Sequence, residues 1–77
     1  MANNLIGQIL VNGNSVITPK TNRSDADLTA SGYTKFEYRE RFNGSEDYSF
    51  MWCQSRDECL DVLKYWNIIT ESLFTLI

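Results

Sequence analysis

The chain has 77 residues, which makes it one domain whose core alone supplies only a few kcal/mol of net stability. With 43% hydrophobic and 13% aromatic residues it reads as a folded domain rather than a disordered one. The absence of histidine and the presence of only two cysteines exclude a zinc site built from Cys and His, and the net charge of −3 disfavours nonspecific binding to phosphate backbones. The same charge suits a partner that is basic or neutral.

The first residues lack the basic flank and long apolar run of a signal peptide. No stretch reaches the roughly 18 apolar residues that a membrane span needs. The chain therefore reads as cytoplasmic, with its thiols reduced. Without an export signal, the sequons at Asn22 and Asn43 are chance matches.

Residues 5–18 read as a first hairpin. Leu5 to Val11 is β-rich, Asn12-Gly13 is a strong two-residue turn signal, and Ser15 to Thr18 returns. Pro19 then ends the ladder, having no N–H to donate. A short helix over residues 3–10 is the rival reading, disfavoured by Gly7 and the β-branched content. Residues 19–32 form a polar connector in which Ser24 can cap one helical turn through Asp27 and Leu28.

Residues 33–54 read as a second hairpin. Phe36, Tyr38 and Phe42 share one face of its first strand with Glu40 between them, and Lys35, Glu37, Arg39 and Arg41 take the other. On the return strand Tyr48, Phe50 and Trp52 share a face. Aromatics meet aromatics only across an odd-length loop, Asn43-Gly44-Ser45, which pairs Tyr38 with Phe50 and Phe36 with Trp52 and sets Arg41 opposite Asp47. That register is the expectation, because burying one joined aromatic face outweighs turn preference.

Residues 55–77 read as a C-terminal helical segment. Ser55 and Glu58 form a capping box, and Asp57 and Glu58 suit the positive end of the helix dipole. Apolar positions recur at Cys59, Val62, Leu63, Trp66, Ile69, Leu73 and Leu76. The expectation is helix to near the end, with a break around Asn67. A terminal strand is the weaker option, since residues 68–77 alternate poorly.

The expected fold is α+β: an antiparallel sheet of about four strands in two hairpins, with C-terminal helical structure packed on one face. Its core should include Ile9, Val16, Phe36, Tyr38, Phe50, Trp52, Leu60, Leu63, Trp66 and Ile69.

No segment forms a catalytic, cofactor-binding or metal-binding motif, so the chain is expected not to be an enzyme and to carry no cofactor. Cys53 and Cys59 read as small buried apolar residues; a redox role wants a nearby histidine or closer spacing. Glu40 reads as solvated near the hairpin end or paired with an arginine. Candidate partner contacts are an anionic set, Glu46, Asp47, Asp57, Glu58 and Asp61, and a basic row, Lys35, Arg39 and Arg41. Ordinary solvated charge is the plain alternative for both. The apolar Leu73–Ile77 end docks on its own sheet or on a second copy, giving a homodimer.

Three functions follow. The first is a small acidic protein-binding module that inhibits a partner, such as a nucleic-acid-processing complex, by occupying its surface. Phage and mobile-element inhibitors, anti-CRISPR proteins among them, share this size and charge, a likeness of class with no family motif. The second is a regulatory or structural subunit of a larger bacterial assembly. The third, least supported, is a small enzyme. An RNA-binding sheet is a weaker variant of the first, and no direct contact with nucleic acid or membrane is expected.

Overall fold

The structure, a computed structural model, describes residues 5–77. The rival helix over residues 3–10 begins outside that range, and from Gln8 the chain is strand. Two hairpins form as read from the sequence. β1 (Gln8–Val11) and β2 (Asn14–Ile17) join at Asn12-Gly13, and β3 (Thr34–Phe42) and β4 (Ser45–Cys53) join at Asn43-Gly44. Both turns hold both central residues at positive φ, Asn12 51° with Gly13 82° and Asn43 52° with Gly44 86°. These are type I′ conformations, whose twist matches that of the flanking strands.

Between the hairpins lies α1 (Asp25–Ala30). Ser24 Oγ accepts from the Asp27 amide at 3.1 Å. At its far end the Tyr33 amide donates to the Leu28 carbonyl and the Gly32 amide to Thr29, a Schellman closure with Leu28 packed against Tyr33. Arg23 braces the helix through Asp27 at 2.7 Å and Ser31 at 2.6 Å.

After β4, Ser55 caps α2 (Arg56–Ile69), its hydroxyl accepting from the Glu58 amide at 3.1 Å. The helix stops at Thr70, whose hydroxyl donates back to the Trp66 carbonyl at 2.7 Å. The chain then reverses into β5 (Leu73–Leu76), which pairs with β3 from Tyr38↔Leu76 to Arg41↔Leu73. Helix to the end is thus corrected: poor helix formers at Ile68, Ile69 and Thr70 let a β3 edge capture the final residues. Among the described residues the sheet has five antiparallel strands in the order β1-β2-β4-β3-β5.

The β3–β4 register is also corrected. Tyr38 lies opposite Ser49, Phe36 opposite Met51, and Glu37 opposite Phe50. Tyr38 and Trp52 therefore point to opposite sides of the sheet. The odd loop loses because its premise, a single buried face, is wrong. At the Cys53 end the sheet is covered on both sides. α2 lays Cys59, Val62 and Leu63 over Val11, Val16, Met51 and Cys53, while α1 lays Leu28 over Ile17 and Trp52. With both faces roofed at that end, splitting the aromatic sets still buries Trp52 and part of Phe50 while Tyr48 stays exposed, and the better turn decides.

Of the expected core, Val16, Trp52 and Leu63 are buried. Phe36, Tyr38, Phe50 and Trp66 are half-buried, and Ile9, Leu60 and Ile69 are exposed. Leu28, Met51, Ile17 and both cysteines take the inner positions instead. On the α2 face Tyr38, Trp66 and Phe74 form a ring cluster, with centroids 5.2 to 5.9 Å apart and planes tilted by 55° to 60°.

Candidate protein-binding surface

The register fixes what each side of the sheet shows. On the α1 face, β4 presents Trp52, Phe50, Tyr48 and Glu46; beside them β3 presents Lys35, Glu37, Arg39 and Arg41. Ile77, Thr75 and Leu73 continue the rows on the far side, and the Ile77 amide donates to the Glu37 carbonyl at 3.0 Å. α1 roofs only the Trp52 end. Beyond it Tyr48 is 63% exposed, Ile77 68% and Leu73 52%. A shallow depression of about 240 Å³ lies among Glu37, Tyr48, Ser49, Phe50 and Ile77.

The basic row therefore shares its face with aromatics, which the one-sided reading of the sequence excluded. Lys35 Nζ sits 4.3 Å from the centre of the Phe50 ring. Arg41 Nε binds Glu46 Oε2 at 2.7 Å, in place of the expected Asp47, and the Tyr48 hydroxyl donates to Glu46 Oε1 at 3.1 Å. The Arg41 hydrogen bond, then that of Tyr48, holds the Glu46 carboxyl below its ordinary value of 4.5. Arg39 is less well served: its Nη1 is 4.0 Å from Glu46, and its Nε is buried with no hydrogen-bond partner among the described residues. Among the described residues Glu37 makes no ion pair.

The anionic set does not form one patch. Glu46 faces the α1 side and Asp47 the α2 side. Asp57 and Glu58 open α2 at the other end of β4, roughly 20 Å away at about 3.3 Å per strand residue. Asp61 has a structural task, since its Oδ2 accepts from Asn12 Nδ2 at 3.1 Å and Asn14 Nδ2 at 2.6 Å. That clip fastens the first turn to α2. Glu40, on the α2 face, neither meets an arginine nor stands free: it accepts from Ser72 Oγ at 2.6 Å and lies directly opposite Asp47. Two carboxylates in a cross-strand pair repel.

The edges of the sheet differ. β2 pairs with β4 at Ile17↔Trp52 alone. Continuing that register sets Pro19 opposite Phe50, where it has no N–H to give, and the chain turns away there, the Thr21 amide donating to the Thr18 carbonyl at 3.1 Å. Among the described residues, β4 from Ser45 to Met51 thus has no strand on its outer side. In a ladder closed by a two-residue turn, alternate residues bond to the partner, so the N–H and C=O groups of Glu46, Tyr48 and Phe50 point outward. β5 is treated differently. Its outward-facing Phe74 backbone is taken by the Asn67 side chain, which accepts from the amide at 2.6 Å and donates to the carbonyl at 3.2 Å. Asn67 blocks that edge; the sequence signal was only its break in the helical pattern.

Cys53 and Cys59 meet in the α2-side core, both fully buried and free. The neighbouring Cys59 thiol, followed by burial, pushes the Cys53 thiol up. Among the described residues no group of three His, Cys, Asp or Glu side chains could hold a metal ion, and no helix is long and apolar enough to cross a membrane. No protein-family model, curated protein or solved structure matches the chain.

Proposed function

We propose that this chain is a cytoplasmic protein-binding module that works by occupying a partner, with no chemistry of its own. Its contact is the open edge of β4, to which an extended segment of the partner adds as a further strand. The observation that supports this most is the run from Ser45 to Met51, unpaired on its outer side among the described residues, while Asn67 blocks the edge at β5. Strand addition draws affinity from backbone hydrogen bonds and specificity from the side chains on either side. On one side the incoming strand meets Tyr48 and Phe50. On the other it meets Asp47, which faces Glu40 with no cation among the described residues to offset the pair. A lysine or arginine set beside Asp47 relieves that repulsion, so the preferred segment is apolar on one face and basic on the other. Sequestering such a segment is how the module antagonises its owner, in the manner of a small acidic inhibitor.

Affinity capture with wild type and two variants tests the reading. Tyr48→Pro removes an outward N–H without touching the β3 ladder, and Asp47→Lys reverses the charge beside the added strand. The proposal expects a protein recovered by wild type to be lost with Tyr48→Pro and weakened with Asp47→Lys, and capture to fall with salt. Equal recovery by all three would overturn it.

A second reading has one observation in its favour. Tyr48 and Phe50 stand among Lys35, Arg39 and Arg41, the mixture that single-stranded RNA stacks on. Against it, Lys35 already covers Phe50 and Glu46 already neutralises Arg41. Titration with single-stranded RNA homopolymers separates the two: submillimolar binding would favour the RNA surface.

A further inference from the structure

We infer that Cys53 and Cys59 are a redox pair that closes to an intramolecular disulfide when the chain meets a small disulfide oxidant, latching the start of α2 to the end of β4. Closer spacing along the chain is not needed, because folding brings the two together. Cys53 is the last residue of β4 and turns, like Met51, to the α2 side. Cys59 follows the first turn of α2, where its amide donates to the Ser55 carbonyl at 3.1 Å. It shares the inner face of the helix with Val62 and Leu63. Both side chains are fully buried in one apolar cluster, both are free, and the sequence holds no other cysteine. The two thiols are neighbours there, and that proximity, ahead of burial, is what pushes the Cys53 thiol up.

Thiol–disulfide exchange supplies the chemistry. The start of α2 carries exposed Arg56 and Asp57 and is held by the Ser55 cap, so it opens locally and uncovers Cys59. The Cys59 thiolate, its proton gone to water, attacks one sulfur of the oxidant. That S–S bond breaks, one small thiolate leaves, and a mixed disulfide forms on Cys59. As the turn closes, Cys53 gives up its proton in turn and its thiolate attacks the Cys59 sulfur, expelling the second small thiolate. The two small thiolates take up the two protons. The chain has lost two electrons and two protons, and the oxidant has become two thiols. Between openings the pair is shielded from solvent, so the change of state is slow in both directions.

Equilibration of the whole chain in glutathione buffers of graded poise, folded and in urea, followed by alkylation and mass spectrometry, tests the inference. With two cysteines in the sequence, an unalkylated monomer lighter by two hydrogens carries the Cys53–Cys59 bond. In the folded chain the bond should form at a ratio of oxidised to squared reduced glutathione at least about tenfold lower than in urea, because folding already holds the thiols together. By the same linkage the oxidised chain should have a higher urea midpoint than the reduced one. Closure no easier in the folded chain than in urea, glutathione adducts or linked dimers in place of the bond, or a lower midpoint after oxidation would each overturn it. Ser55→Ala, which loosens the first turn, should speed closure, and an unchanged rate would overturn the opening step. Strand addition at β4 survives any of those results, and loss of capture by wild type leaves the latch untouched.

Discussion

Leu28→Ala probes the least expected feature of the fold, the docking of α1 on the face opposite α2. Leu28 is fully buried and packs with Ile17, Tyr33 and Trp52. Removing its side chain beyond Cβ loses the transfer energy of the deleted groups and leaves a cavity, together about 2–5 kcal/mol for a buried leucine. α1 is short and held by few other apolar contacts, so relaxation into the gap favours the lower half of that range. A chain of 77 residues has about 4–12 kcal/mol in all, and the variant should retain a fold with a clearly lower urea midpoint. Trp52 lies in the same cluster, so its fluorescence reports the loss directly. A change below about 0.5 kcal/mol with unaltered tryptophan emission would mean that Leu28 is not packed there, and the two-sided roof would fall with it.

Asn67→Ala removes both hydrogen bonds to the Phe74 backbone and should cost about 1–3 kcal/mol, with faster hydrogen exchange at the Phe74 amide; unchanged exchange there contradicts the edge block. Asp61→Ala should lower stability by about 1 kcal/mol, as its hydrogen bonds to Asn12 and Asn14 are exposed, and chemical-shift changes should centre on the first turn. Shifts confined to α2 would refute the clip. Glu46 titrates below its ordinary value of 4.5, held down by Arg41 and then Tyr48. A depressed carboxylate stabilises the fold above its unfolded pKa and stops doing so as pH falls through the folded one. The Arg41–Glu46 contact should therefore persist at neutral pH and open only below 4.5, as followed by the Glu46 side-chain carbon resonance. A midpoint at or above that value argues against the pair.

Much of the architecture was written in local chemistry. Asn12-Gly13 fixed the first turn, Pro19 stopped the first hairpin, and Ser55 started α2, whereas Asn43-Gly44 marked the second turn but was read as part of a three-residue loop. What escaped depended on contacts distant in sequence. Leu28 looked like a stray apolar residue in a polar connector until β2 and β4 supplied Ile17 and Trp52 beneath it. Leu73 to Leu76 alternates poorly as a strand and fits the helical spacing, and only the free side of β3 and the Asn67 amide draw it into the sheet. The candidate surface followed the register. The row of Lys35, Arg39 and Arg41 was legible as exposed, but its company with Tyr48 and Phe50 was not, because a one-residue shift in pairing exchanges the faces of a whole strand. The anionic set was legible only as composition; its members point to different sides and ends.

Interior, outer face and open edge all follow from the pairing of β3 with β4. Non-hydrogen-bonded pairs of an antiparallel ladder bring their α-protons close together, so a nuclear Overhauser experiment reads the pairing directly. Cross-peaks between the α-protons of Glu37 and Phe50, and of Arg39 and Tyr48, are the result this structure requires; a cross-peak between those of Tyr38 and Phe50 would contradict it.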